Sequence, residues 1–495
     1  MKKGEIAEGT VREIRFPNKG IVEFMSPEGE ALECEVKNAI PGQKVRFRIA
    51  KKRGSRLQGA LLEVTKPGPF ETTPECPSYG KCGGCLYLPL PAGEELGIKE
   101  EQVRRLLSDA VNSAQDEDLQ GLADTLEWFE GALPSPVLYG YRNKMEFSFG
   151  DEVKDGPLTL GMHKRGSFYD VTDAGGCEIA DEDYRGIVSA ARDFFAQRQV
   201  PYYHRMRKEG YLRHLLVRKA SHTGQILIDL VTAQWTGAAG PEGAADPAEE
   251  ELLKGFADAM LSLELSGEIS GILHTRNLSQ ADIVRDDGTE VLYGRKWFEE
   301  TLLGLRFIVT PFSFFQPNSS GAELLYSKAR QFILEALTYS RDQDSEGRKP
   351  VIFDLYCGTG TIAQLMSPVA DKVIGVEIVP EAVEAAKENA LRNGIGNCEF
   401  IAGDVLAVLD EIETRPDLII LDPPRDGIHP KALPKILAYG VRNILYISCK
   451  PTSLARDLPY FIKAGYRPVR GVCVDQFVWT TGIETIVLLE KSDES

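Results

Sequence analysis

Short runs in which hydrophobic and polar residues alternate fill the first 67 positions of the chain. Alternation with a period of two is typical of β-strands, and the turn-forming Asn, Pro and Gly residues between the runs favour a small barrel. The runs lie at 8–11, 20–24, 31–36 and 44–49. The pattern predicts an OB-like β-barrel over residues 1–67. Its residues Phe16, Phe24 and Phe47 are expected either in the barrel core or on a surface that stacks nucleic-acid bases.

Residues 68–340 combine a helical period with further alternating runs. Apolar residues recur at helical spacing over 97–112 and 322–337, and strand-like runs dominate the region between them. In three of these runs cations alternate with apolar residues, which places the cations on one face of a strand, where they could follow a phosphate backbone. The three runs lie at 139–149, 160–168 and 212–218. The pattern predicts a central β-rich, α+β domain with a loop at 115–118 and a surface insertion without chemistry at 237–252.

From about residue 341 the pattern changes to short, continuously apolar runs separated by helical segments. Such runs are typical of buried strands in a parallel sheet, and their alternation with helices predicts a Rossmann-like domain over 341–495. The runs lie at 351–355, 373–377, 398–401, 418–421 and 443–448. Open sheets of this kind bind ligands at the carboxyl ends of their strands. The whole chain is therefore expected to be a multi-domain α/β protein.

The residues that follow these apolar runs are candidates for cofactor binding. Gly358 and Gly360 turn the chain after the first run and let its backbone approach a nucleotide-like cofactor. Glu377 ends the second run, where a carboxylate can accept both ribose hydroxyls, and Asp404 follows the third, where it could face an adenine amino group. The turn lacks the third glycine of a dinucleotide-binding fingerprint. The order of these features instead resembles that of S-adenosylmethionine-dependent methyltransferases.

A cysteine follows the last apolar run. Cys449 comes directly after 443–448, so it should lie at the same sheet edge as Asp422, which opens the rigid Asp-Pro-Pro-Arg turn after 418–421. A free cysteine in a fold usually just packs. A thiol that shares a crevice with a cofactor turn and an acid is a stronger candidate for a nucleophile.

Composition and charge narrow the class of protein. The 495 residues are 43% hydrophobic and 26% charged, as in ordinary soluble proteins. No apolar run approaches the roughly 18 residues of a membrane span, and the first residues lack the apolar core of a signal peptide, so a cytoplasmic protein without a membrane partner is expected. The net charge is −17, yet residues 1–67 hold 14 Lys and Arg against nine Asp and Glu. On charge alone, that excess is more typical of a solvated surface than of a nucleic-acid site.

The nine cysteines favour a metal site over a disulfide framework, because their number is odd and three of them crowd into ten residues. Cys76, Cys82 and Cys85 form a C-x5-C-x2-C loop with glycines that allow tight wrapping, and Cys177 is the candidate fourth ligand. Four thiolates can hold either zinc or an iron–sulfur cluster. The residues alone leave both metals open.

Five short motifs resemble, in order and spacing, those of the RNA (uracil-5-)-methyltransferase family. They are Phe-Gln-Pro-Asn at 315–318, the glycine turn at 354–360, Asp-Pro-Pro-Arg at 422–425, Ser-Cys-Lys-Pro at 448–451, and a closing motif from 475 to 485. The amino-terminal barrel and the four cysteines are most similar to the 23S ribosomal RNA branch. That branch carries a TRAM barrel and a 4Fe-4S cluster, so the resemblance, not the spacing, favours the cluster over zinc.

The resemblance implies a role for each motif residue. Cys449 would add to C6 of a flipped uracil, and Glu484 would remove the C5 proton after methyl transfer from S-adenosylmethionine. Asp422 would contact cofactor or uracil. The other implied contacts to S-adenosylmethionine are Gln316, Tyr356, Thr361, Glu377 and Asp404. The closing motif departs from the family, because Val478, Trp479 and Gly482 stand where a proline and two histidines are common.

The expected partner is RNA, ribosomal first and transfer RNA as the alternative, and the expected assembly is a monomer. Two other functions remain open from the sequence. One is an RNA-binding module with a silent active site. The other is an amino methyltransferase, since Asp-Pro-Pro also occurs in enzymes that methylate nitrogen and need no thiol.

Overall fold

The computed structural model describes residues 1–114, 121, 125–235, 246–281, 283–344 and 349–492. The predicted loop at 115–118 and positions 237–245 of the predicted surface insertion at 237–252 lie outside these residues. The strands are β1 Ile6–Arg15, β2 Lys19–Met25, β3 Ala31–Lys37, β4 Lys44–Arg53, β5 Arg56–Lys66, β6 Phe129–Leu133, β7 Lys144–Asp151, β8 Leu158–His163, β9 Val171–Asp173, β10 Leu212–Lys219, β11 Gln225–Thr232, β12 Glu268–Arg276, β13 Thr289–Gly294, β14 Phe298–Leu302, β15 Leu305–Val309, β16 Val351–Leu355, β17 Lys372–Glu377, β18 Cys398–Ala402, β19 Leu418–Leu421, β20 Asn443–Ser448, β21 Tyr466–Val474 and β22 Glu484–Lys491.

The helices occupy the segments between these strands. They are α1 Ala92–Ser113, α2 Glu182–Gln197, α3 Pro247–Leu261, α4 Ser319–Asp344, α5 Thr361–Met366, α6 Pro380–Arg392, α7 Val405–Val408, α8 Leu433–Ala438 and α9 Pro451–Lys463, with a short 3-10 turn at Ser367–Val369. Within the described ranges, no helix is both long and apolar enough to cross a membrane.

The first five strands form a closed barrel in the order β1-β2-β3-β5-β4, which confirms the predicted amino-terminal barrel. Phe24 and Phe47 are buried and meet edge to face at 5.3 Å inside it, so these two rings are core residues. β5 was not predicted, because Leu57 is its one fully buried side chain and its outer half is exposed. A strand that is hydrogen-bonded in a sheet can thus lack the alternation of hydrophobic and polar residues from which strands are predicted.

The central sheet has seven strands in the order β13-β12-β11-β10-β7-β8-β9. α2 and α3 cover one face, where Phe195 and Phe256 stack at 5.3 Å. The region predicted as β-rich therefore contains two helices that complete its core. Helices and strands share one buried layer here, as in other α+β folds.

Two cations that were predicted to lie along a phosphate-binding face are buried instead. In β10, Arg213 and Arg218 are 4% and 1% exposed. Arg213 donates to the carbonyls of Asn277 and Ser279, at 2.9 and 2.5 Å. Arg218 donates to the carbonyl of Thr310 at 2.7 Å and to a second carbonyl of the same loop. A buried guanidinium needs such acceptors, so these side chains fix loops, and the prediction of phosphate contact is wrong for them.

The last sheet has eight strands in the order β18-β17-β16-β19-β20-β22-β21-β6. The strands β18, β17, β16, β19 and β20 pair in parallel, and β22 and β21 follow antiparallel, which confirms the Rossmann-like prediction. β6 joins its edge in parallel with β21, and α1 packs against α9. These two elements come from within 68–340, so the proposed division at 340 separates sequence segments that share one core. Their apolar residues, including Val103 and Leu107, are buried in that core.

A buried ion network ties α1 to the segment that precedes β22. Lys99 is fully buried and lies 2.7 Å from a carboxylate oxygen of Glu95 and 2.7 Å from one of Asp475. It also donates to the carbonyl of Phe477 at 3.2 Å, and the backbone N–H of Trp479 donates to Glu95 at 2.5 Å. One cation therefore holds two acids and two positions of the backbone together.

Replacing this cation should lower the urea concentration at which half of the protein is unfolded. Lys99→Met would leave two buried carboxylates without their cation, which typically costs about 3–5 kcal/mol. Urea unfolding followed by tryptophan fluorescence measures the loss. Arg104→Met is the matched control on the same helix, because the Arg104–Glu100 pair is partly exposed and should contribute about 1 kcal/mol or less. Equal losses for the two variants would contradict the role of Lys99.

Candidate active site

One large cleft lies at the carboxyl ends of the parallel strands. Its volume is about 1700 Å³. All eight residues predicted for catalysis or cofactor binding line it, namely Gln316, Tyr356, Thr361, Glu377, Asp404, Asp422, Cys449 and Glu484. Parallel strands end at the same edge of a sheet, so residues far apart in sequence converge there.

The glycine turn shapes the first half of the cleft. Gly358 and Gly360 adopt positive φ angles of 55° and 72°, a region that glycine enters without strain. A Cβ on Gly360 would stand 2.6 Å from the ring of Phe400, so the turn also needs the missing side chain for space. Glu377 accepts the N–H of Gly358 at 3.0 Å, which locks the second strand end against the turn.

Asp404 and Gln316 complete this half of the cleft. Asp404 accepts the N–H of Leu406 at 2.8 Å, and this bond orients its carboxylate at the start of α7. Gln316 accepts a hydrogen bond at 3.1 Å from the side chain of Gln476, which belongs to the closing motif. Its backbone carbonyl accepts a second bond, at 2.7 Å, from the side chain of Asn143. The half-cleft is therefore lined by fixed oxygen acceptors, which suits a ligand rich in hydroxyl and amino groups.

Cys449 and Glu484 form the second half of the cleft. They stand opposite each other at the end of the β20–β22 ladder, because the last antiparallel pair joins Ser448 to Thr485. Glu484 is 2% exposed. The hydroxyl of Ser448 donates to the carbonyl of Lys450 at 3.0 Å and braces the turn that presents the thiol. A nucleophile and a carboxyl group thus face the same small space from neighbouring strands.

Burial controls the protonation of this half. It raises the pKa of Cys449 to about 11, and the negative charges of Glu484 and Asp422 add to the shift, while Arg425 opposes it. Burial also raises the pKa of Asp422 to about 7. The pKa of Glu484 is raised well above its usual value by burial and then by the charge of Asp422. Such shifts are typical of groups that exchange protons in catalysis.

Sequence reasoning missed several residues of the cleft. Arg425 was noted only as part of a turn, yet it is a cation next to the thiol. Tyr326 from α4 also lines the cleft and carried no distinctive signal, whereas Arg142, which lies there too, belongs to the predicted run of alternating cations at 139–149. Phe16, unlike the two core rings of the barrel, reaches the cleft together with Pro17. The barrel therefore contributes to the wall of this site.

The residues that depart from the family pattern pack the segment before Glu484. Trp479 is 2% exposed, donates its indole N–H to the carbonyl of Leu138 at 3.0 Å, and stacks on Tyr139 at 5.4 Å. The carbonyl of Val478 accepts the hydroxyl of Tyr141 at 2.9 Å. These contacts pack the closing motif against residues 134–143, the stretch between β6 and β7 that is here called the central segment.

The four predicted ligand cysteines line a second, smaller cavity beside the cleft. Cys76, Cys82, Cys85 and Cys177 surround about 100 Å³, together with Thr480 of the closing motif. Burial raises the pKa values of Cys76, Cys85 and Cys177, and neighbouring thiols add to each shift. In the part of the chain that the structure describes, no group of three or more His, Cys, Asp or Glu side chains is arranged to hold a metal ion.

Comparisons with known proteins agree on one family. The sequence model described as tRNA (Uracil-5-)-methyltransferase matches residues 268–492. An uncharacterized RNA methyltransferase of Clostridium tetani is 42% identical, with 100% of this chain and 99% of the relative covered. Another, from Caldanaerobacter subterraneus, is 41% identical over 99% of this chain and 100% of the relative.

The fold also matches a solved structure over nearly its whole length. The crystal structure of Pyrococcus abyssi tRNA (uracil-54, C5)-methyltransferase in complex with S-adenosyl-L-homocysteine superposes with a TM-score of 0.69. The alignment covers 97% of this chain and 100% of that one at 21% identity, so it supports the arrangement of the domains.

The reactivity of Cys449 should respond to the neighbouring acid. Asp422→Asn removes a negative charge that raises the pKa of the thiol, so alkylation of Cys449 by iodoacetamide should be several-fold faster than in the wild type at about pH 8.5. In both proteins the rate should climb roughly tenfold per pH unit below the thiol pKa. Mass spectrometry of the peptide that contains Cys449 measures the rate. Asp426→Asn, a fully exposed acid of the same turn, is the control, and equal rates in all three proteins would refute the electrostatic coupling.

Proposed function

The chain belongs to the RNA (uracil-5-)-methyltransferase family, and we infer from its cleft that it methylates C5 of a uracil in RNA through a covalent bond between Cys449 and C6. It is an RNA methyltransferase by family membership. The observation that carries the chemical proposal is the placement of Cys449 opposite Glu484 in the cleft that holds the cofactor-type turn. An amino methyltransferase would have no need of that thiol.

The cleft fits S-adenosylmethionine by the chemistry of its lining. The positive φ angles of Gly358 and Gly360 turn the protein backbone toward the cleft, Glu377 can accept the ribose hydroxyls, and Asp404 can accept the adenine amino group. Gln316, Tyr356 and Thr361 line the same half. When bound, S-adenosylmethionine supplies an electrophilic methyl group on its sulfonium. The solved structure of similar fold contains the demethylated product of this donor.

Uracil needs activation because its C5 is a poor nucleophile. The Cys449 thiolate adds to C6, and the electron pair of the C5–C6 double bond moves toward O4 to give an enolate whose C5 carries nucleophilic character. Arg425 favours the thiolate form against the burial that disfavours it. The uracil must leave the RNA stack to reach this thiol, so base flipping is part of the proposal.

Release of the product requires removal of the C5 proton. Glu484 takes this proton, the electron pair re-forms the C5–C6 double bond, and the Cys449 thiolate leaves. Burial raises the pKa of Glu484, so its carboxylate is a stronger base than an exposed one would be. Asp422, at the same edge, contacts either the cofactor or the uracil.

We propose ribosomal RNA as the substrate and the amino-terminal barrel as a TRAM domain, because the barrel and four cysteines resemble the 23S branch. The barrel's contribution of Phe16 to the cleft supports a role in holding RNA. Transfer RNA is the alternative, and the name of the matching family model favours it.

A substrate in which fluorine replaces the C5 hydrogen should trap the enzyme. With S-adenosylmethionine and RNA that contains 5-fluorouridine, we expect a covalent protein–RNA complex on denaturing gels, because fluorine cannot be removed as a proton. Cys449→Ala should bind the RNA and form no complex. Parallel reactions with 23S ribosomal RNA and transfer RNA, followed by sequencing of the bound fragment, identify the substrate.

Glu484→Gln tests the second half of the mechanism in the same assay. It should accumulate the covalent complex with ordinary uridine, because methylation proceeds and proton removal fails. A wild-type enzyme that forms no complex with either RNA would refute the covalent mechanism. Methylation that survives Cys449→Ser would then favour an amino methyltransferase, and binding without any methylation would favour an RNA-binding module.

We propose that Cys76, Cys82, Cys85 and Cys177 hold a 4Fe-4S cluster with a structural role. Four thiols that line one small cavity are the donor set that such clusters use. The thiolates repel one another in this cavity, and the positive charge of bound iron would offset that repulsion. Thr480 lines both the cysteine cavity and the cleft, so a cluster in this cavity would lie against the closing motif.

Anaerobically purified protein should therefore contain four iron and four sulfide per chain and show the visible absorption of a cluster. Cys82→Ser should lose the absorption and lower the melting temperature, whereas Cys34→Ser, in the barrel core, should keep the absorption. Stoichiometric zinc without iron would overturn the proposal of a cluster.

A further inference from the structure

Two loops at one end of the central sheet expose large apolar side chains. Phe168 and Tyr169, after β8, are 78% and 56% exposed, and Met206, before β10, is 71% exposed. The Tyr169 hydroxyl lies 3.6 Å from the Met206 sulfur, and Phe168 is the exposed neighbour of Tyr169 in the chain; these three residues are here called the aromatic patch. Exposed apolar groups that cluster in this way mark binding surfaces more often than isolated ones do.

The backbone beneath the aromatic patch is held by its own hydrogen bonds. The Ser167 hydroxyl accepts the N–H groups of Tyr169 and Asp170 at 3.2 and 3.1 Å, and Lys164 donates its N–H to the carbonyl of Asp170 at 2.8 Å. In the second loop, His204 donates its N–H to the carbonyl of Glu209 at 2.7 Å. The loops are thus built to present these side chains to solvent.

Cations surround the aromatic patch in a chain whose net charge is −17. Residues 163–170 and 202–209 contain five Lys and Arg against two acids. The cations are Lys164, Arg165, Arg205, Arg207 and Lys208. Arg207 pairs with Asp155 at 3.8 Å, and both side chains are more than half exposed, so solvent screens that pair. The local charge therefore suits a polyanion.

The patch connects to the catalytic cleft through the cysteine loop. Arg165 donates its N–H to the carbonyl of Lys81 at 2.6 Å, and Gly83 donates its N–H to the carbonyl of His163 at 3.4 Å. The next residue, Gly84, lines the cleft together with Arg142. The cysteine loop thus borders the cleft at Gly84 and is hydrogen-bonded to the start of the segment that carries Phe168 and Tyr169.

We propose that the aromatic patch and its cations bind a single-stranded stretch of the RNA substrate next to the segment that enters the cleft. Unpaired bases stack on exposed aromatic rings, and nearby cations follow the phosphates. This assignment rests on RNA being the substrate. It gives the cysteine loop a second role as the support between patch and cleft.

The test compares a short RNA, which can fill only the cleft, with a longer RNA that can also contact the aromatic patch. Fluorescence anisotropy of the full-length protein with S-adenosylhomocysteine would use oligouridines of about 4 and about 16 nucleotides, which bracket the reach of one single-strand site. Phe168→Ala combined with Tyr169→Ala should weaken binding of the longer RNA about tenfold and leave the shorter unchanged. Tyr460→Ala is the control, because Tyr460 is 58% exposed on α9, away from these loops, and should change neither.

Salt dependence tests the cations separately. Arg207→Gln with Lys208→Gln should reduce the slope of log Kd against log salt by about 0.7 for each phosphate that the variant no longer neutralises. If the aromatic double variant binds the longer RNA with unchanged affinity, the proposal is overturned. A patch that binds a protein instead of RNA would give this result.

Covalent trapping separates this proposal from the proposed function. At saturating 5-fluorouridine RNA, the aromatic double variant should reach the wild-type yield of complex, with a higher RNA concentration at half yield. If the wild type forms no covalent complex, the proposed function is refuted. The anisotropy comparison of the two RNAs would still test whether the aromatic patch binds RNA.

Discussion

The salt bridge network around Lys99 fixes the chain segment that leads into Glu484. Glu95 and Lys99 belong to α1, and their partners Asp475 and Trp479 belong to the segment that leads into Glu484. Burial raises the pKa of Glu95 to about 7, so the network keeps its charges only because the lysine and the backbone donors are in place. Buried networks of this kind add little net stability compared with apolar packing, and their effect is to select one geometry.

That geometry links three parts of the molecule that the sequence keeps far apart. α1 carries the network, and its Gln102 also donates to the carbonyl of Ile14 in the barrel at 3.2 Å. The closing segment packs Trp479 against the central segment and places Thr480 at the cysteine cavity. The barrel, the cysteine loop and the catalytic strands thus meet at one short stretch of chain. The cleft is formed by their assembly, and the last sheet alone supplies only part of its wall.

Much of the fold follows from the sequence, because each predicted parallel strand of the last sheet is a short apolar run and several candidate cleft residues directly follow such runs. Glu377, Asp422 and Cys449 were placed in one cleft by that rule alone. Glu484 came from family resemblance. β5, the pairing of β6 with the last sheet and the packing of α1 in the same core were missed, since they depend on which surfaces meet in three dimensions. Arg218 shows the same limit. A cation that alternates with apolar residues in a strand is predicted to be exposed, and only the structure reveals the loop carbonyls that bind it in the interior.

The dry crevice around Cys449 creates opposing demands on catalysis. Burial raises the pKa of the thiol to about 11 and so lowers the fraction of thiolate at neutral pH. The same burial makes the thiolate and the Glu484 carboxylate more reactive once formed, because neither is stabilised by water. Arg425 offsets part of the cost at the thiol. In the proposed reaction, negative charge moves from the sulfur onto the uracil, close to that cation, and returns to the sulfur only when the C5 proton has been transferred to Glu484.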